Sequence, residues 1–139
     1  MKLKLITLGI IMAIFLVGVT IGTNSFKEHT GLIYKYDEST FHEYTVEESG
    51  YVIFRCDITV KNQSRSNQQF TMKADMSRDM GLVQEKYAVV YKEASPEPEV
   101  FEIAANHTVT YAVEFKALHG DKMTKEDRMP PGKVLFTLQ

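Results

Sequence analysis

Apolar residues recur at every second position through residues 52–60. Val52, Phe54, Cys56, Ile58 and Val60 fall on one parity, and Arg55, Asp57, Thr59 and Lys61 on the other. A period of two marks a strand with one dry and one wet face. Residues 108–117 repeat it: Val109, Tyr111, Val113, Phe115 and Ala117 are predicted to face in, and Thr108, Thr110, Glu114 and Lys116 to face out. Weaker runs follow the same rule. Phe70, Met72, Ala74 and Met76 share one face, as do Tyr87, Val89 and Tyr91, then Leu32, Tyr34 and Tyr36, and at the end Val134, Phe136 and Leu138. Phe101 and Ile103 mark one more short piece.

Polar or turn-forming segments at 62–68, 93–99 and 104–108 separate these runs. About seven short strands spaced by turns predict an all-β chain, an immunoglobulin-like antiparallel β-sandwich. The longest and most charged connection is 118–133, where Pro130-Pro131-Gly132 turns the chain into the last strand. Thr124 and Asp127 inside it have the spacing of a capping box, the one hint of helix beyond residue 25. Sandwich folds commonly bind through loops held by a rigid frame. Lys122, Lys125, Glu126, Asp127 and Arg128 are therefore the candidate interaction residues, set against the plainer reading of a solvated, mobile loop.

Residues 5–22 break the pattern, with 18 positions, no charge and no polar face. As a helix the run would reach about 27 Å, close to the thickness of a bilayer's hydrocarbon core. Lys2 and Lys4 ahead of it favour an N-terminus held in the cytoplasm. The expectation is an N-terminal hydrophobic helix in residues 1–25, a signal peptide or a retained membrane anchor, followed by one domain at 30–139 outside the cytoplasm. Past residue 25 the chain carries 14 Lys+Arg against 18 Asp+Glu. That balance gives no reason to expect nucleic acid as a partner. The single cysteine, Cys56, lies mid-row on the predicted dry face and reads as an inert core thiol.

Few chemistries find support. His29, His42, His107 and His119 sit in no nucleophile motif, and neither G-x-G-x-x-G nor a P-loop occurs, so no enzyme, catalytic residue or cofactor is expected. Met72, Met76 and Met80, with Met123 and Met129, raise Cu(I) as a ligand, although core filling explains 72 and 76 more simply. Glu93, Glu97 and Glu99 raise calcium, but Pro96 and Pro98 favour a rigid extended linker. Asn62 and Asn106 fit the N-glycosylation pattern, or are ordinary turn asparagines.

A resemblance rests on the order of these pieces: an export segment, a strand ending DITVKNQS, then FTMKADMSRDMGLVQEKY and FEIAANHTVTYAVEF. Over residues 30–139 the chain resembles the telokin-like, immunoglobulin-fold domain of unknown function found in exported proteins of Gram-positive bacteria. Val60 and Asn62 match the family's V-x-N strand end, residues 105–108 stand in its later turn, and Val113 to Phe115 match the closing V-x-F. The resemblance implies a fold and an address, with no catalytic residues. Together the readings predict a non-enzymatic interaction module of the bacterial cell envelope. The alternatives are an exported copper or small-ligand carrier and an envelope immunity or exclusion protein.

Overall fold

The computed structural model describes residues 30–139. The predicted anchor or signal in 1–25 lies outside them. Among the described residues, no helix is long and apolar enough to cross a membrane.

Among the described residues, eight strands form one antiparallel hydrogen-bonded network: β1 (Leu32–Tyr34), β2 (Thr40–Val46), β3 (Tyr51–Asn62), β4 (Gln68–Asp75), β5 (Tyr87–Val90), β6 (Phe101–Ile103), β7 (Thr108–Leu118) and β8 (Val134–Leu138). Two single-turn 3-10 helices, Tyr36–Glu38 and Ser77–Asp79, lie in the connections. The order is β1–β3–β7–β5–β4–β6, with β2 also beside β3 and β8 beside β4. The two strongest sequence patterns form the spine. β3 and β7 pair over eleven consecutive positions, from Tyr51↔Leu118 to Lys61↔Thr108.

Alternation places the core. Val52, Phe54, Cys56, Ile58 and Val60 of β3 are buried, as are Phe70, Met72 and Ala74 of β4 and Met76 just after it. So are Val113, Phe115 and Ala117 of β7, while Val109 and Tyr111 pack half-buried against the same cluster. The Phe70 ring stacks on Phe101 and meets Tyr111 and Phe136 edge-on. Edge-to-face contacts of this kind contribute beyond the area they bury.

The pattern fails in four places, each for a local reason. β2 has no clean period because its register against β3 shifts between Phe41 and Glu43. The extra residue, His42, lets Phe41, Tyr44 and Val46 all pack inward although their parities differ. β5 is turned the other way from expectation: Ala88 and Val90 are buried, and Tyr87 and Val89 are half-exposed. The Tyr87 ring lies under the ammonium groups of Lys73 and Lys86, at 4.6 and 5.5 Å, a position a tyrosine fills well because its face attracts cations. Thr59, on the row expected to be wet, is 2% exposed. The Tyr36–Glu38 turn covers it, and its hydroxyl donates to Glu38 O at 2.7 Å and lies 2.7 Å from Thr110 Oγ1. Finally, 93–99 is the tip of a hairpin. Lys92 N donates to Glu97 O, Glu99 N to Val90 O, and Tyr91 bridges Pro98. The prolines sit within a closed turn, not an extended linker.

Asn62 has a role that turn chemistry alone does not suggest. It is fully buried. Its Nδ2 donates to Ser66 O (2.9 Å), Ala104 O (3.2 Å) and Ile103 O (3.4 Å), and its Oδ1 accepts from Ser64 N (2.9 Å) and Ser64 Oγ (2.7 Å). One amide thus ties the β3–β4 turn to the β6–β7 turn, and the side chain is closed to any sugar. Asn106 is exposed, with φ +58°, a conformation asparagine tolerates in turns.

Candidate functional site

The candidate loop 118–133 is a strap along the rim of the fold. No helix forms at Thr124–Asp127; side chains from elsewhere in the fold hold the segment instead. Tyr34 Oη donates to Pro131 O (2.5 Å), Tyr44 Oη to Met123 O (3.0 Å) and Arg78 Nη2 to Pro130 O (2.6 Å). Burial pushes the Tyr34 phenol well above its ordinary range, so this donor stays protonated. A close backbone contact fixes the start of the strap: a Cβ on Gly120 would lie 2.2 Å from Gly81 O, so only glycine fits there.

The five residues singled out in this loop divide into two groups. Lys122, Glu126 and Arg128 are exposed. Arg128 Nη2 reaches His42 O at 3.4 Å. Lys125 and Asp127 turn inward. The Lys125 side chain is 3% exposed, and its ammonium donates to Asp127 Oδ1 (2.6 Å) and Asp79 Oδ1 (3.4 Å). It also stands 4.9 Å from the centre of the Phe41 ring. Hydrogen bonds from Lys125, with one from Met129 N (3.0 Å), hold the Asp127 carboxyl below the ordinary carboxylate value. A depressed folded-state pKa contributes stability that is complete above the unfolded value of about 3.9 and fades as pH falls through the lower folded value. We therefore expect acid unfolding to steepen below about pH 4 and Asp127→Asn to flatten that limb. Thermal melts across the acid range, variant against parent, check this.

A concavity lies elsewhere, on the outward face of β2, β3 and β7. The hairpin 91–99 walls a groove of about 830 Å³, whose lining includes His42, Ile53, Arg55, Asp57, Glu99 and Glu114. Its polar residues are already organised. Arg55 stands opposite Glu114 in the β3–β7 register. Its Nε donates to Glu114 Oε2 (2.9 Å), and its Nη1 donates to Glu43 Oε2 (3.2 Å) and Thr45 Oγ1 (3.0 Å). The β2 bulge leaves both His42 and Glu43 exposed, and His42 Nε2 lies 2.9 Å from Asp57 Oδ2. Ile53 gives the groove an apolar floor, 8% exposed although it belongs to the outward row.

Sequence reasoning had Arg55, Asp57, Glu114 and Lys116 on the wet face but did not join them into a site. The missing part was β2, which supplies His42 and Glu43 and whose bulge erased its period. The other candidate ligands are scattered. Met72 and Met76 fill the core, while Met80, Met123 and Met129 are exposed. Lys92 pairs with Glu97 at 3.9 Å. Among the described residues, no group of three or more His, Cys, Asp or Glu side chains is placed to hold a metal ion. Compared with known proteins, the chain matches no family model, no curated protein and no solved structure.

Proposed function

We propose that this chain is a non-enzymatic interaction module working outside the cytoplasm of a bacterial cell, and that it receives a protein or cell-envelope partner in the β2–β3–β7 groove. The observation that carries the reading is the groove itself. It joins an apolar floor at Ile53 to polar groups already held in place, Arg55 by Glu43 and Glu114, and His42 by Asp57. Polar groups fixed before binding lose little freedom when a partner arrives. Mixed charge at a rim favours selection and orientation of a polypeptide over capture of a single ion.

The frame is read as an immunoglobulin-like sandwich of the telokin-like, exported kind. Two features support this. β5 is the strand that links the β3–β7 half of the network to the β4–β8 half, and the inward rows of both halves share one core cluster. The apolar, uncharged run at 5–22 supports the address. A copper-carrier reading draws on the exposed Met80, Met123 and Met129; tight stoichiometric uptake of Cu(I) under reducing conditions would favour it.

The test is site-specific photocrosslinking of the full-length protein in the cells that make it. A probe at Glu114 in the groove should yield a discrete adduct that a probe at exposed Arg65 does not, and Arg55→Glu should abolish it. Equal adducts from both positions, or none from the groove, would contradict the proposal. Fractionation of the same cells, with mass measurement of the N-terminus, tests the address separately.

A further inference from the structure

The Lys125 ammonium occupies a place where a lone lysine is costly. Its side chain is 3% exposed and that of Asp79 10%. Around them close Phe41, Phe54, Met76 and Phe115, leaving a cavity of only about 10 Å³, at the lower limit of what holds one water. Taking two ions out of water is costly, and their attraction need not recover that cost. A buried ion pair can lower that cost by moving a proton within the pair, leaving an amine facing a carboxylic acid. Those are the two partners of amide formation. Lys125 Nζ lies 3.4 Å from Asp79 Oδ1, an oxygen on the carbon it would attack, and holding two reactants side by side can be worth effective molarities of about 10⁵–10⁸ M.

We propose that Lys125 and Asp79 are a covalent modification site, joined by an intramolecular isopeptide bond that forms in the folded chain, with Asp127 positioned to assist. The balance is complete without any outside reagent. One ammonium proton passes to the Asp79 carboxylate. The freed lone pair on Nζ forms the bond to Asp79 Cγ. Asp127 Oδ1, 2.6 Å from Nζ, takes a second proton as that bond forms and delivers it to the departing oxygen. The Cγ–O bond breaks, one water leaves, and the amide nitrogen keeps the third proton. Two buried charges become one neutral amide.

Asp79, not Asp127, is the carboxyl consumed. The Asp127 side chain is 31% exposed and already accepts the backbone N–H of Met129, so water and a second donor hold it as a carboxylate. Asp79 is the enclosed partner. It belongs to the Ser77–Asp79 turn after β4, so the bond would staple the strap to the β4–β5 connection, 46 residues away in sequence.

Tryptic mapping of the folded, full-length protein by tandem mass spectrometry tests this. The expected product is one branched peptide joining residues 79–86 to residues 123–128, lighter than the two separate peptides by one water and uncleaved after Lys125. Lys125→Arg and Asp79→Ala should each restore linear peptides of full mass. Linear peptides from the parent, fresh and after prolonged incubation in the folded state, would overturn the proposal. Loss of water confined to residues 123–128, or an unbranched dehydration at Asp79, would overturn it equally.

Discussion

Truncating Phe115 to alanine is expected to lower the stability of the domain by about 3–5 kcal/mol, the usual range for removing a buried aromatic ring. Phe115 is completely buried in the middle of β7 and pairs with Phe54 across the β3–β7 register. Its neighbour in sequence order along the ladder, Lys116, pairs with Val89 of β5. The ring therefore sits where β3, β7 and β5 meet, and a cavity there cannot be filled by the collapse of a loop. A domain of this size is stable by only about 5–15 kcal/mol, so the variant should unfold at a much lower urea concentration. Leu138→Ala on β8 is the internal comparison: Leu138 is 40% exposed, and a change of about 1 kcal/mol or less is expected. Urea denaturation of the three proteins, with slopes compared as well as midpoints, checks the pair.

The second large effect should come from Asn62→Ala. The substitution removes little apolar surface, so a ranking by hydrophobicity would pass it over. What it removes is the shared partner of three carbonyls and of the Ser64 donors. A buried polar group left without a partner costs about 1–3 kcal/mol. Water will reach the exposed end at Ser66 sooner than the buried Ile103 carbonyl, so we expect a net loss of about 2–4 kcal/mol, not the full sum. Asn62→Asp sharpens the test. It keeps the acceptor for Ser64 but replaces the donors with a charge facing three carbonyl oxygens, and it should be at least as destabilising at neutral pH. At acid pH, where the new carboxyl is protonated, part of that loss should return.

Which features the sequence reveals, and which it hides, follows from how far each depends on local pattern. β3, β4 and β7 are legible because a row of apolar residues at every second position faces the core along each; on β3 the outward Ile53 and Thr59 are covered as well. The apolar rows from Val52 to Val60 and from Phe70 to Met76 could be assigned to the inside from parity alone. β2 is illegible because one extra residue, His42, reverses parity halfway along, and no composition signal marks that. β5 is legible as a strand but not in its facing. Tyrosine and valine look like core residues, yet here Tyr87 serves as a platform for Lys73 and Lys86.

The candidate site divides in the same way. Arg55, Asp57, Glu114 and Lys116 could be assigned to the wet face, but a groove requires a wall and a neighbouring strand. Both come from segments with no clean period, the 91–99 hairpin and β2. The strap shows the opposite failure. Lys125 and Asp127 sit in the most charged stretch of the chain, where charge normally means solvent. The contacts that draw Lys125 inward, with Asp79, Tyr44 and Phe41, come from residues at least 46 positions away, beyond the reach of any local rule.

Cys56 offers the most direct measurement of the central claim, that the alternating apolar rows of β3 and β7 face a common core. It is the single cysteine of the chain and lies mid-row, 2% exposed. Burial pushes its thiol up to about 12, the Lys125 charge lowers it by less, and the Asp57 and Asp79 charges add to the rise, so almost no thiolate exists at neutral pH. The native protein should therefore react with a thiol reagent only as fast as the domain opens, and stoichiometrically at once in denaturant. Labelling of the native protein at the rate of an exposed cysteine would contradict the account, because it would put the row that defines β3 in water.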